Sequence, residues 1–237
     1  RQPGGFAEPF PPGMTTGRWL SLKRWKAGRR SGNEHYKALL EASPPSPATD
    51  FDDAELVCLD IETTGLDPAS VDMLSIGWVL IRNGRVDLST AESHVVKPAR
   101  DELGDSPTIH GLTDSVVDEG MSPEEAMERV IDVLTGRVLV VHHAGLDKKL
   151  LDRLCKEQFG DKLLVPVIDT LALENRHKSR HHHLEDTRSL RLPDLRKHYN
   201  LPWYRGHDCL GDAISTAELL IAMVASRDSR TTLSDLY

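Results

Sequence analysis

The chain has 237 residues, 39% hydrophobic and 28% charged, with a formal net charge of −8 at pH 7. That is enough apolar material to bury a core in one domain with an appendage or in two small domains, and the acidic balance argues against binding long nucleic acid by counterion release. No apolar run approaches the ~20 residues that a membrane helix needs, and Cys58, Cys155 and Cys209 form no CxxC pair, as expected of reduced thiols in a cytosolic protein.

Residues 1–16 are rich in Pro and Gly, lack the basic-then-apolar pattern of a secretion signal, and are expected to be disordered. Residues 17–42 carry Trp19, Leu22, Trp25, Tyr36, Leu39 and Leu40 at helical spacings, which predicts one or two short helices that dock on the body or on a partner. A Pro-containing linker at 43–53 follows. The expected division is therefore a basic N-terminal extension over residues 1–50 and a main domain over 51–237. Residues 1–30 hold seven of the 29 Lys/Arg and one of the 37 acids, so the remainder has a net charge of −14.

In the main domain LVCLDI (56–61) and MLSIGWVLI (73–81) predict buried strands. Asn83-Gly84 is a hairpin signal leading to a third strand over 86–97. Ser122, Pro123 and Glu125 begin a helix that stops at Gly136. RVLVVHH (137–143) predicts a strand, 146–158 a helix, VPVID (165–169) a strand, and 170–176 a helix. A last helix spans 208–226, with Asp208 able to cap it. Three strands in meander followed by α/β alternation predict an α/β fold, a mixed sheet flanked by helices.

Three clusters of functional side chains sit at the ends of these elements. Asp60 and Glu62 stand two apart at a strand end, so both project from one face of the sheet. Paired carboxylates repel unless a cation lies between them, and oxygen ligands suit Mg²⁺ or Mn²⁺. Alone this is a weak signal, because acids at a strand end also simply face water. His142-His143-Ala144-Gly145-Leu146-Asp147 places a third carboxylate at a strand exit, where it could also merely cap its helix. His207 and Asp212 are five apart, about 140° round a helix, which puts His207 on the loop before the helix and Asp212 in its second turn.

Together D-I-E-T-T-G-L-D at 60–67, H-H-A-G-L-D at 142–147 and H-x4-D at 207–212 resemble the DEDDh (DnaQ-like) 3′→5′ exonuclease family, which includes the proofreading epsilon subunit of bacterial DNA polymerase III. The resemblance covers about residues 54–226 and implies an RNase H-like five-stranded sheet. It implies that Asp60, Glu62, Asp147 and Asp212 hold two divalent cations, Mg²⁺ or Mn²⁺. His207 would be the general base. It further implies that Thr63, Thr64, Leu66, His110 and His143 bind the 3′-terminal nucleotide, Leu66 as a wedge against its base, with 5′-mononucleotides as products. Two positions depart from the family's pattern: His143 stands where Asn is usual, and Cys209 where a small Ala is usual. They put nucleotide preference in question, not catalysis.

The implied substrate is single-stranded nucleic acid or its 3′ ends. DNA is favoured because relatives acting on short oligoribonucleotides tend to carry Met at position 63. RNA or short oligonucleotides are the alternative within the family, and a catalytically silent nucleic-acid-binding module is the alternative outside it. The chain ends about ten residues after its last helix without a Gln-led clamp motif, which favours a free-standing enzyme or one tied to a protein partner through its N-terminal segment. Residues 176–198, with seven Lys/Arg, three acids and five His, read as a phosphate-contacting loop or a solvated one. Consecutive histidines such as His181-His182-His183 seldom converge on one ion, which argues against structural zinc.

Overall fold

Strand β1 (Leu56–Thr63) buries seven of its eight side chains, as a central strand covered on both faces must. Its odd positions Val57, Leu59 and Ile61 enter one apolar core, while Leu56 and Cys58 enter a second on the opposite face. The period of two then carries Asp60 and Glu62 onto the second face. The computed structural model describes residues 16–98, 120–180, 189–204, 206, 208–227 and 229–237.

Strand β2 (Met73–Arg82) runs antiparallel to β1, and β3 (Arg85–Val95) antiparallel to β2, in a meander. Their turn places Asn83 at φ 51° and Gly84 at φ 66°, the left-handed conformations that an Asn-Gly hairpin requires. Strands β4 (Val138–Val141) and β5 (Val167–Asp169) lie parallel to β1, giving the order β3-β2-β1-β4-β5. This is the mixed five-stranded sheet expected from the sequence.

Seven α-helices flank it among the described residues: α1 (Thr16–Gly28), α2 (Glu34–Glu41), α3 (Pro123–Leu134), α4 (Asp147–Phe159), α5 (Thr170–Arg180), α6 (Leu192–His198) and α7 (Cys209–Ala225). Helix α3 opens with the expected reciprocal cap, in which Ser122 Oγ accepts from Glu125 N–H and the Glu125 carboxylate accepts from Ser122 N–H. Helices α3 and α4 fill the first core, and α7 covers the second. None of the described helices is long and apolar enough to cross a membrane.

The two N-terminal helices share the first core. Tyr36 is fully buried, stacks on Phe159 at 5.4 Å, and donates its hydroxyl to Lys162 O at 2.6 Å. The buried Arg24 guanidinium donates to the carbonyls of Leu164, Leu39 and Ala42, tying α1 to α2 and to the segment before β5. Most of the described residues within 176–198, expected as a loop, are helical: α5 runs to Arg180 and α6 begins at Leu192. Pro193 in the first turn and the buried Leu195 explain α6, a signal that the density of charge had masked. Residues 181–188, including His181 to His183, lie outside the described residues, as do residues 1–15.

Candidate active site

Helix α7 brings Asp212 to the acidic face of β1. Asp208 caps the helix as expected, its carboxylate accepting from Gly211 N–H at 3.1 Å. One and two turns on, Thr216 and Leu220 are fully buried on the stripe that includes Asp212, so that stripe faces the sheet. The approach is close because Gly77, which pairs with Asp60 across the β1–β2 ladder, has no side chain. A Cβ there would lie 2.6 Å from Leu210 N and 2.7 Å from Leu210 Cα.

The carboxylates of Asp60, Glu62 and Asp212 consequently lie within 4.8 Å of one another. Burial raises the Asp60 pKa well above the ordinary carboxylate range, and the charges of Asp147, Asp212, Glu62 and Asp208 raise it further. Asp147, at the start of α4, is buried and lies outside that tight trio. Burial, together with the charges of Asp169 and Glu62, pushes its pKa up to about 8. Four neighbouring acids, Glu62 and Asp147 buried and Asp60 and Asp212 half-buried, form a costly arrangement when all are ionised.

Asp169, at the end of β5, holds the turn that leads to Asp147. Its Oδ1 accepts from His143 N–H at 3.0 Å and its Oδ2 from Ala144 N–H at 2.9 Å. The same carboxylate accepts from Leu171 N–H and Ala172 N–H at the start of α5. His143 sits at φ 79°, a left-handed conformation costly for a residue with a side chain. Its ring folds over Gly145, where a Cβ would lie 3.0 Å from Nε2. His142, by contrast, faces inward. Its Nδ1 is 2.8 Å from Thr170 Oγ1, and its Nε2 donates to Leu190 O at 3.0 Å.

The other expected contacts have mixed placements. Thr63 is buried and donates its hydroxyl to Gly65 O at 2.6 Å, while Thr64 Oγ1 accepts from Asp72 N–H at 3.0 Å. Both hydroxyls thus shape the turn after β1, and Leu66 at its tip is 89% exposed. Cys209 is buried, with its Sγ 3.5 Å from Ser93 Oγ. His110 and His207 lie outside the described residues. Gly206 and Asp208 are described: a Cβ on Gly206 would stand 3.8 Å from Asp212 Oδ1, and the Asp208 charge acts on Asp60.

Two functional positions escaped the sequence reading, Gly77 and Asp169. Asp169 had a usable signal, an acid at the end of an apolar strand immediately before a helix, much as Asp147 lies on the passage from a strand into a helix. Gly77 had none, because its role depends on which strand it pairs with. The donor set fits a hard divalent cation: every converging group is a carboxylate oxygen, and cations would offset the mutual repulsion.

A sequence profile of the RNase_T exonuclease family matches residues 57–220. The chain is 34% identical over 175 residues to the PolC-type DNA polymerase III of Thermotoga maritima, a match that covers 73% of this chain and 12% of that one. It is 31% identical over 185 residues to a DNA polymerase III subunit epsilon-like protein of Rhodobacter capsulatus, covering 77% and 25% respectively. The chain thus spans a minor part of the length of these relatives. Among solved structures, Escherichia coli Exonuclease I in complex with a dA16 oligonucleotide superposes with a TM-score of 0.61 at 16% identity, covering 73% of this chain and 41% of that one. Exonuclease I from Methylocaldum szegediense gives 0.59 at 16%, over 73% and 41%. At these identities the likeness is one of fold.

Proposed function

This chain belongs to the RNase T exonuclease family, and from that premise we propose that it is a metal-dependent 3′→5′ exonuclease that hydrolyses single-stranded DNA to 5′-mononucleotides. The observation that carries the reading is the convergence of Asp60, Glu62 and Asp212 within 4.8 Å, with Asp147 close enough to act on Asp60. DNA is the preferred substrate in this reading because the relatives include DNA polymerase III proteins, and a fold neighbour binds a deoxyoligonucleotide.

Asp60, Glu62, Asp147 and Asp212 would hold two divalent cations, Mg²⁺ or Mn²⁺. When bound, such cations supply Lewis acidity to a phosphodiester and ease deprotonation of water. The residues of the chain do the rest. Asp60 and Glu62 form a fixed wall on β1, and Asp212 closes the site from α7. His207, on the segment between Gly206 and Asp208, would accept the proton of the attacking water, a role suited to a group titrating near neutral pH. Asp169 would keep the His143–Ala144 turn, and with it Asp147, in register. Leu66, exposed at the tip of the adjacent turn, would meet the terminal base, with Thr63, Thr64, His143 and His110 around the same nucleotide.

Hydrolysis of very short oligonucleotides is the second reading, favoured by the net charge of −14 over residues 31–237, which weakens the hold on a long polyanion. Matched DNA and RNA oligomers labelled at either end separate these readings. Mg²⁺-dependent release of labelled mononucleotide from the 3′ end of DNA supports the first. Activity confined to substrates of a few nucleotides supports the second, and release from the 5′ end contradicts both.

A further inference from the structure

Trp203 is 77% exposed, and both of its chain neighbours are tethered to the body of the fold. The clamp is Arg196, whose guanidinium is buried. It donates to Pro202 O at 2.8 Å, to the Glu218 carboxylate at 2.7 Å and to Ser215 O at 2.8 Å. The same guanidinium lies over the Tyr204 ring at 4.5 Å, and Tyr204 donates its hydroxyl to Glu218 Oε1 at 3.0 Å. The residues on both sides of Trp203 are therefore fixed to α6 and α7, and the indole between them is turned out to solvent.

Its location gives the exposure a meaning. Trp203 precedes Gly206 by three residues, a Cα separation of at most about 10 Å, and Gly206 stands against Asp212. The exposed large apolar side chains among the described residues are Leu22, Trp25, Leu66, Leu88, Trp203 and Tyr204. Half of them fall on the two loops flanking the carboxylates: Leu66 on the turn after β1, Trp203 and Tyr204 on the segment before α7. A single exposed hydrophobe is ordinary, but three on the two segments adjoining the carboxylate-bearing elements suit contact with a ligand of that site.

Charge points the same way. A body with a net charge of −14 gains little from phosphate contacts, so its affinity for a strand must come largely from non-ionic contacts. An indole on a tethered backbone offers such a contact, because every base has a face to stack and the loop that carries the ring is already ordered.

We propose that Trp203 is a stacking platform for a nucleobase of single-stranded nucleic acid, one or two nucleotides on the 5′ side of the residue being removed. The proposal rests on the exonuclease reading of the adjacent carboxylates. It assigns to the loop 201–204 a subsite that is indifferent to base identity and insensitive to salt.

The test compares wild type, Trp203→Ala and Trp203→Phe on two substrates: a single-stranded oligothymidylate, and the p-nitrophenyl ester of thymidine 5′-monophosphate, which has no second base. For Trp203→Ala the ratio of kcat/KM on the oligomer to kcat/KM on the ester should fall about tenfold, the scale of one lost base–aromatic stack. Trp203→Phe should recover most of the loss, and the slope of log KM against log salt should not change. If both variants match wild type in this ratio, the subsite is refuted while the exonuclease reading stands. A changed salt slope would assign Trp203 to shaping a phosphate contact and also overturn the proposal. If wild type cleaves neither substrate, the exonuclease reading fails and the proposal with it.

Discussion

Gly77 lies directly across the β1–β2 ladder from Asp60, and the space its missing side chain leaves is taken by the backbone of Leu210. The first carboxylate and the helix that delivers the fourth thus meet at a residue with no chemistry of its own. A methyl group at position 77 would collide with backbone, which cannot rotate away, so Gly77→Ala must push α7 off the sheet. Overpacking of this kind costs roughly 1–3 kcal/mol. The variant is expected to melt several degrees lower and to lose most of its hydrolytic activity, because Asp212 moves away from Asp60. Thermal melting and turnover measured on the same preparation check this, and unchanged values for both would show that the contact is slack.

Asp169 should act as a positioning residue. Its carboxylate serves four backbone N–H groups in two segments. Asparagine offers one acceptor oxygen and sets an NH₂ group against N–H groups that need an acceptor, costing about 1–3 kcal/mol. Asp169→Asn is expected to lower Tm and to weaken Mg²⁺ activation, seen as a right-shifted metal titration. A variant that melts lower with an unshifted titration would confine Asp169 to stability alone.

The left-handed backbone at His143 gives a prediction of opposite sign. Asparagine tolerates φ near 79° better than histidine, so His143→Asn is expected to stabilise the protein by about 0.5–1 kcal/mol. If the imidazole also contacts the terminal nucleotide, KM should move while kcat changes less. A fall in Tm would mean that the ring packed over Gly145 outweighs the backbone strain.

The raised pKa values of Asp60 and Asp147 fix a pH dependence. Above about pH 4 the unfolded chain has released these protons, while the folded chain keeps them up to the raised values. The folded state then binds more protons, so the contribution of these groups to stability falls as pH climbs, until about 8 for Asp147. Cations between the carboxylates remove that penalty. Saturating Mg²⁺ is therefore expected to raise Tm more at about pH 8 than at about pH 5. Asp212→Asn, which removes one of the repelling charges, should raise the Tm of the cation-free protein by a few degrees. Equal Mg²⁺ shifts at both pH values would contradict the coupling.

Most of the architecture was legible in local pattern. The period of two through Leu56, Cys58, Asp60 and Glu62 gave the face, Ser122 and Glu125 gave a helix start, and Asn83-Gly84 gave the hairpin. Motif spacing named the acids that the fold collects. What sequence could not supply was register. Gly77 matters because its ladder partner is Asp60 and its neighbour above the sheet is Leu210, and neither is near it in the chain. Helix α6 was hidden for another reason: within a strongly charged stretch, a seven-residue helix shows its apolar side through Leu192 and Leu195 alone. The placement of Trp203 depends on the buried Arg196, whose charge in sequence suggests a phosphate contact or solvent and whose partners in the fold are the carbonyls of Ser215 and Pro202 and the Glu218 carboxylate.

The central claim is that Asp60, Glu62 and Asp212, with Asp147, hold the cations on which hydrolysis depends. Calorimetric titration of Mn²⁺ into wild type, Asp60→Asn and Asp212→Asn, with oligonucleotide turnover measured on the same samples, tests it most directly. Two Mn²⁺ per wild-type chain are expected, with tight binding and turnover lost together in both variants while the fold persists. Full turnover in either variant, or undiminished Mn²⁺ binding in both, would contradict the account.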